Sequence, residues 1–236
     1  MKIKSRIDIH PLYYVVAFIS FFTGYFKAFS IYTIIILVHE LGHIVAALIL
    51  KWPIKKVTVY PFGCMTTFDN KLNSSVYEEF LVLIYGPLFQ ILFNMIYPTD
   101  YHYFILFFNL LPIYPLDGSK LLFLILNKIT SYYYSYIYIY IISYITLIIL
   151  LIRDINFINY LILFYLMYDV YRYIKKLDDI MLKFYFERYQ YNYKFKKNRI
   201  IIGKNKHYMF KEKNNYFFID NKYYSEHEIL RKGFDK

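Results

Sequence analysis

The chain has 236 residues, of which 58% are hydrophobic, and it carries a formal net charge of +11 with a single cysteine. This composition is typical of a membrane protein, and it excludes both an intramolecular disulfide framework and a zinc cluster held by several thiolates. From residue 172 to residue 236 there are seventeen lysines and arginines against eight acidic residues, so most of the positive charge lies in one segment. That segment contains no recognisable nucleic-acid-binding motif, and we expect no nucleic-acid partner.

Six apolar segments predict membrane-spanning helices, because a bilayer core takes about 20 apolar residues in helical form. They cover residues 11–24, 29–50, 80–97, 103–127, 132–152 and 155–174. Most lysines and arginines between the segments fall on the side that also carries both termini, which the positive-inside rule identifies as the cytoplasm. We therefore expect an all-α polytopic integral membrane protein with six transmembrane helices and cytoplasmic N- and C-termini.

Two stretches outside these segments predict β-structure. In the second connection, β-branched and aromatic residues flank the turn signal "PFG" at residues 61–63 and predict a short hairpin near the inner face. Beyond Asn198, the pieces "RIIIG", "HYMF" and "YFFID" predict strands, and a helix is expected from Ser225. We expect a transmembrane domain over residues 1–175 and a small α+β basic cytoplasmic tail over residues 176–236, whose charge attracts anionic lipid.

The second apolar segment contains the motif "HELGH", with His39 and His43 four residues apart and Glu40 between them. Residues i and i+4 lie on one face of a helix, so both imidazoles can reach a common centre. H-E-x-x-H on a helix is the zinc metalloprotease pattern, with two histidine ligands and a glutamate general base. The alternative is a structural hydrogen-bonded cluster, but metal coordination better offsets the desolvation of three ionisable groups in an apolar span.

Catalytic zinc needs a third protein ligand and an open position for water. Asp117, in "NLLPIYPLDG", is the one carboxylate deep in another predicted span. Counting 1.5 Å per residue from the outer end of each span places Asp117 and His43 at the same depth of about 21 Å. Two prolines and a glycine around Asp117 predict a broken helix, which is tolerated at membrane depth where the backbone lines a cavity.

The motifs carry a family resemblance. The chain resembles the site-2 protease family of intramembrane zinc metalloproteases, and its sporulation branch in particular. One motif, "HPL", precedes "HELGH", and four follow it in the order typical of that family: "PFG", "EEF", "GPL" and "NLLPIYPLDGSKLLF". They lie at residues 10–12, 61–63, 78–80, 86–88 and 109–123. The resemblance covers roughly residues 8 to 200 and is specific, because independent motifs recur across separate segments.

The resemblance implies one catalytic zinc ion held by His39, His43 and Asp117, with Glu40 as the catalytic base. It also implies a role for Asn109 close to the reacting groups, with an interhelical hydrogen bond as the alternative. The hairpin is expected to pair with unwound substrate by strand addition. Phe62 and Pro115 are the residues we expect to contact the substrate, with Phe62 as a gate.

Members of the sporulation branch perform regulated intramembrane proteolysis. The resemblance implies that the substrate is the N-terminal pro-segment of a membrane-associated pro-sigma factor, that membrane partner proteins inhibit the enzyme, and that it lies in the membrane around the forespore of a sporulating bacterium. Members of this branch commonly carry a nucleotide-responsive CBS domain. The residues after the last span are too few for a complete one, so residues 176–236 are interpreted as a reduced CBS-like remnant at most.

Two other functions stay open at this stage. Broken helices and intramembrane carboxylates also mark ion-coupled membrane transporters, although the chain shows no duplicated half. A non-catalytic membrane regulator that binds substrate without cutting it is the second alternative.

Overall fold

The computed structural model describes residues 6–60, 63–68, 72–152, 157–191 and 193–234, and it is mostly helical. The chain divides into two compact units. The first comprises residues 1–71 and 77–109, and the second comprises residues 72–76 and 110–236.

The helices of the first unit are apolar and carry the "HELGH" motif. They are α1 (Pro11–Phe22), α2 (Phe26–Ile49), α3 (Val76–Ile96) and α4 (Asp100–Asn109). Buried isoleucines of α2 pack against Ile105 of α4 to form part of the core. At Gly42 the helix α2 lies so close to α3 that a Cβ atom would overlap the Tyr85 carbonyl oxygen, so only glycine fits there.

A three-stranded sheet accompanies these helices in the order β1-β2-β3. Its strands are β1 (Arg6–Ile9), β2 (Ile54–Tyr60) and β3 (Gly63–Phe68). β2 pairs antiparallel with β3, and this confirms the predicted hairpin. β1 pairs in parallel with β2, and Lys56 Nζ lies 2.9 Å from Asp8 Oδ2. The sequence did not predict β1, because four residues with two charges show no strand signal until a partner strand is known.

The fourth predicted span is two helices rather than one. α4 ends at Asn109, and seven residues separate it from α5 (Asp117–Ile129). Residues 110–116, which include Pro112 and Pro115, form turns and irregular backbone. The prediction of a break in this segment is confirmed, and Asp117 becomes the first residue of a helix instead of an interior one.

In the second unit, α5 is followed by three more helices and a small α+β region. These elements are α6 (Tyr132–Ile152), α7 (Phe157–Lys175), α8 (Leu177–Gln190), β4 (Asn198–Ile202), β5 (Asn214–Ile219), β6 (Lys222–Ser225) and α9 (Glu226–Phe234). β4 pairs in parallel with β5, and β5 pairs antiparallel with β6. The predicted strand at "HYMF" is wrong, since Lys206–Tyr208 form a single 3₁₀ turn.

Arg188 of α8 ties this α+β region together. Its side chain is 1% exposed, and its guanidinium donates to the carbonyl oxygens of Lys211 at 2.6 Å and Lys213 at 2.8 Å. Both Glu226 carboxylate oxygens accept from Nη2 at 2.9 Å. Burial lowers the pKa of Arg188 and the Glu226 charge opposes that shift, so the buried cation is held by an ion pair.

Three of the described helices, α2, α3 and α6, are long and apolar enough to cross a membrane, and α1 is apolar but shorter. At 1.5 Å per residue, the 24 residues of α2 extend for about 36 Å, which exceeds the ~30 Å hydrocarbon core. Six spans remain a prediction, and so does the division into a membrane domain ending at residue 175 and a tail.

Candidate metal centre

His39 and His43 lie on one face of α2 and are both buried. Their ring centroids are 4.9 Å apart, as the i,i+4 spacing predicts. Glu40, the next residue after His39, is 8% exposed. Three ionisable groups are therefore enclosed by protein within one and a half turns of an apolar helix.

Each histidine ring is held through its Nδ1 atom by a group on α3. His39 Nδ1 lies 2.7 Å from Gln90 Oε1, and His43 Nδ1 lies 2.8 Å from the carbonyl oxygen of Val82. A carbonyl oxygen only accepts hydrogen bonds, so the neutral His43 ring carries its proton on Nδ1 and its lone pair on Nε2. This is the arrangement of metal-binding histidines, whose second nitrogen is oriented by an outer partner.

Gly86 of α3 lies directly beside the Nε2 atoms of both rings. A Cβ atom at this position would overlap His43 Cε1 and Nε2 and would approach His39 Nε2 to 2.8 Å. The glycine therefore leaves the space in which both rings present Nε2. The motif "GPL" marked this position in the sequence, but the reason for it is steric and is visible only in the structure.

Glu40 accepts a short hydrogen bond from the Thr66 hydroxyl of β3. The hairpin thus touches the predicted general base directly. Cys64, two residues away on the same strand, has its pKa raised to about 12 by burial and by the Glu40 charge. It is a neutral thiol near neutral pH and does not qualify as a nucleophile.

In the second unit, Asp117 begins α5 and is buried. Lys120, one turn later, donates from Nζ to Asp117 Oδ1 at 2.9 Å. The next residue, Gly118, packs against the backbone of Leu110, and a Cβ atom at Gly118 would overlap the Leu110 carbonyl oxygen. The carboxylate is thus held by a cation and by a tightly folded helix start.

His39 and His43 are buried in the first unit, and Asp117 is buried in the second. Two imidazoles and a carboxylate are a donor set of catalytic zinc sites, which leave a further position open for water. The chemistry of these side chains therefore fits the predicted zinc ion.

The other predicted site residues are less constrained. Asn109 is half-buried at the end of α4, and Pro115 is half-buried in the segment between α4 and α5. Phe62 lies outside the described residues. Their roles remain predictions. Conversely, no motif in the sequence marks Gln90, Val82 or Thr66, because each acts by contacting a predicted ligand or the predicted base from another element.

Comparisons with known proteins agree with these observations. Residues 101–153 match the family described as "Peptidase family M50". Stage IV sporulation protein FB of Bacillus subtilis (strain 168) is 39% identical over 139 residues, a match that covers 52% of this chain and 48% of that protein. The match thus spans about half the length of this curated relative.

A solved structure shares the fold. The site-2 protease from Methanocaldococcus jannaschii superimposes with a TM-score of 0.56 at 21% sequence identity, covering 73% of this chain and 92% of that one. At this identity the likeness concerns the fold alone. The family match over residues 101–153 and the sporulation relative agree with the resemblance that the motifs carry.

Proposed function

We propose that the chain is an intramembrane zinc endopeptidase, because residues 101–153 match peptidase family M50 and the fold is similar to that of a site-2 protease. The observation that carries this proposal is the buried pair of His39 and His43 on one face of α2, with Glu40 adjacent to His39 on the same helix. An ion-coupled transporter needs no glutamate at this place, whereas a hydrolase does.

In the proposed reaction, His39, His43 and Asp117 hold the zinc ion. When bound, zinc supplies a Lewis acid that polarises the scissile carbonyl and acidifies a water molecule. Glu40 acts as the general base: its carboxylate accepts a proton from that water and later delivers it to the leaving amine. The Thr66 hydroxyl donates to Glu40 and so restricts its carboxylate to one orientation.

We further propose that substrate binds as an extended strand along β3. Among the described strands, β3 is at the edge of the sheet β1-β2-β3, and one of its residues already contacts Glu40. An unwound segment added at this edge would present its peptide bonds next to the general base. In a helical segment, by contrast, the peptide bonds are shielded from attack. Phe62, which precedes Gly63 in the sequence, is the proposed gate, and Pro115 and Asn109 are proposed to contact substrate or orient the scissile carbonyl.

The finer assignment rests on the relative among sporulation proteins. We propose that the substrate is the pro-segment of a membrane-associated pro-sigma factor, that inhibitory membrane proteins control the enzyme, and that the protein acts in the membrane around a forespore. The basic residues 172–236 suit a cytoplasmic location at anionic lipid, with both termini on that side.

The deciding experiment compares the wild-type protein with Glu40→Gln, co-expressed with a membrane-tethered pro-sigma factor. Glutamine keeps the shape of the side chain but removes the basic carboxylate, so cleavage should fall by at least about 100-fold while zinc content is retained. A non-catalytic regulator predicts no cleavage by either protein. Equal cleavage by both would refute the assignment of Glu40.

A further inference from the structure

We propose that Gln90 is a positioning residue that selects the metal-binding tautomer of His39. The inference rests on the proposed zinc-dependent function and extends it to a residue outside the motifs. Gln90 lies on α3 and is 1% exposed, so its amide is isolated from solvent. A buried amide that makes two well-placed hydrogen bonds imposes an orientation on its neighbours.

The orientation of the Gln90 amide follows from its second partner. Gln90 Nε2 lies 2.8 Å from the carbonyl oxygen of His102. A main-chain carbonyl only accepts, so the atom facing it must be the amide nitrogen, and the amide oxygen must then face His39. The distinction between the two ends of the amide is thus set by main-chain chemistry.

The tautomer of His39 follows in turn. Gln90 Oε1 lies 2.7 Å from His39 Nδ1, and an amide oxygen has no proton to give. Nδ1 must therefore carry the hydrogen, and the neutral ring then has its lone pair on Nε2. That is the nitrogen which faces Gly86, together with His43 Nε2. Gln90 does for His39 what the Val82 carbonyl does for His43.

We call the two hydrogen bonds of the Gln90 amide, to the His102 carbonyl oxygen and to His39 Nδ1, the relay. The His102 end of this relay is itself held in place. His102 is buried on α4, and its Nε2 lies 3.1 Å from the carbonyl oxygen of Tyr97, at the end of α3. This contact spans the turn between α3 and α4, and it holds the His102 carbonyl where Gln90 can donate to it. The relay therefore runs from the α3–α4 turn through Gln90 to His39.

The proposal predicts a graded effect of substitution at Gln90 on metal binding. Gln90→Met keeps the length of the side chain but removes both the acceptor for His39 and the donor for His102. Gln90→Glu keeps an acceptor for His39 and loses only the donor. Loss of an outer partner of a metal ligand lowers metal affinity by about 10- to 100-fold. We expect that loss for Gln90→Met and a smaller loss for Gln90→Glu.

The matched control is Asn94→Leu, one turn further along the same helix. Asn94 has a buried side-chain oxygen without a partner among the described residues, so this change removes a polar group of α3 that contacts no proposed ligand. Its zinc affinity should equal that of the wild type. A loss of affinity in Asn94→Leu as large as in Gln90→Met would mean that α3 merely tolerates substitution poorly, and it would overturn the inference.

The experiment measures zinc affinity of the purified full-length proteins by chelator competition, and the visible absorption of the Co²⁺-substituted forms. A lower affinity and an altered Co²⁺ spectrum for Gln90→Met support the positioning role. Wild-type values for Gln90→Met overturn it. If Gln90→Met does not fold, Gln90→Glu decides, since an affinity equal to that of Asn94→Leu and the wild type refutes the relay. Failure of the wild type to bind zinc would instead refute the proposed function.

Discussion

Gly86→Ala tests the steric basis of the metal centre most directly. The added Cβ atom would lie 2.8 Å from His39 Nε2 and would overlap the His43 ring, whereas ordinary contacts begin at 3.4 Å. The His39 ring would have to retreat by about 0.6 Å, and the His43 ring further. Metal–ligand distances tolerate only about ±0.2 Å, so the two nitrogens could not keep their places.

The size of the effect follows from the overlap. Forcing one extra carbon atom into a close-packed region costs about 1–3 kcal/mol. If the rings relieve the overlap by moving, the free energy of zinc binding becomes less favourable by the same amount. The zinc dissociation constant then rises between about 5- and 150-fold. Cleavage should fall by a similar or larger factor, because a misplacement of ~1 Å at a reacting centre can cost ~100-fold.

The assay is chelator competition for zinc, followed by cleavage of a membrane-tethered substrate. Gly63→Ala serves as the control for zinc affinity, because a Cβ atom there meets nothing within 4 Å and zinc binding should be unchanged. If Gly86→Ala binds zinc and cleaves substrate as the wild type does, the described placement of the rings against α3 is wrong.

Two further predictions concern other parts of the chain. Thr66→Val removes the hydroxyl that donates to Glu40, and since hydrogen bonds to charged groups contribute about 1.5–3 kcal/mol, kcat should fall about tenfold or more at unchanged zinc content, with Thr66→Ser restoring most of it. Unaltered kinetics for Thr66→Val would show that Glu40 is oriented by another group. Arg188→Met leaves Glu226 and three carbonyl oxygens without their buried cation. It should destabilise the region of α8, β4–β6 and α9 by about 3–5 kcal/mol, measured as protease sensitivity after residue 190. A digestion pattern like that of the wild type would contradict the central role assigned to Arg188.

Several features of the chain could be predicted from local spacing. The two histidines face one way because any α-helix brings residues i and i+4 together, whatever surrounds it. The interruption before Asp117 follows from Pro112 and Pro115, which cannot donate backbone hydrogen bonds to a continuous helix. The hairpin follows from β-branched residues on both sides of a turn signal. Each of these depends on neighbours in the sequence.

Other features depend on partners that are distant in the sequence. β1 becomes a strand only because β2, about 50 residues later, pairs with it. Gln90 lies 51 residues from His39, and Thr66 lies 26 residues from Glu40. No periodicity encodes such pairs, since each is an ordinary polar residue until the fold supplies its partner.

The sequence alone therefore determined which side chains are able to bind zinc and to act as a base, because those properties belong to residue types at helical spacing. The tertiary structure decided which nitrogen each histidine presents and which hydroxyl orients the glutamate. It also decided that only a glycine fits where α3 faces the two rings. These depend on hydrogen bonds and close contacts between separate elements, and such contacts exist only after α2, α3 and the sheet have packed together.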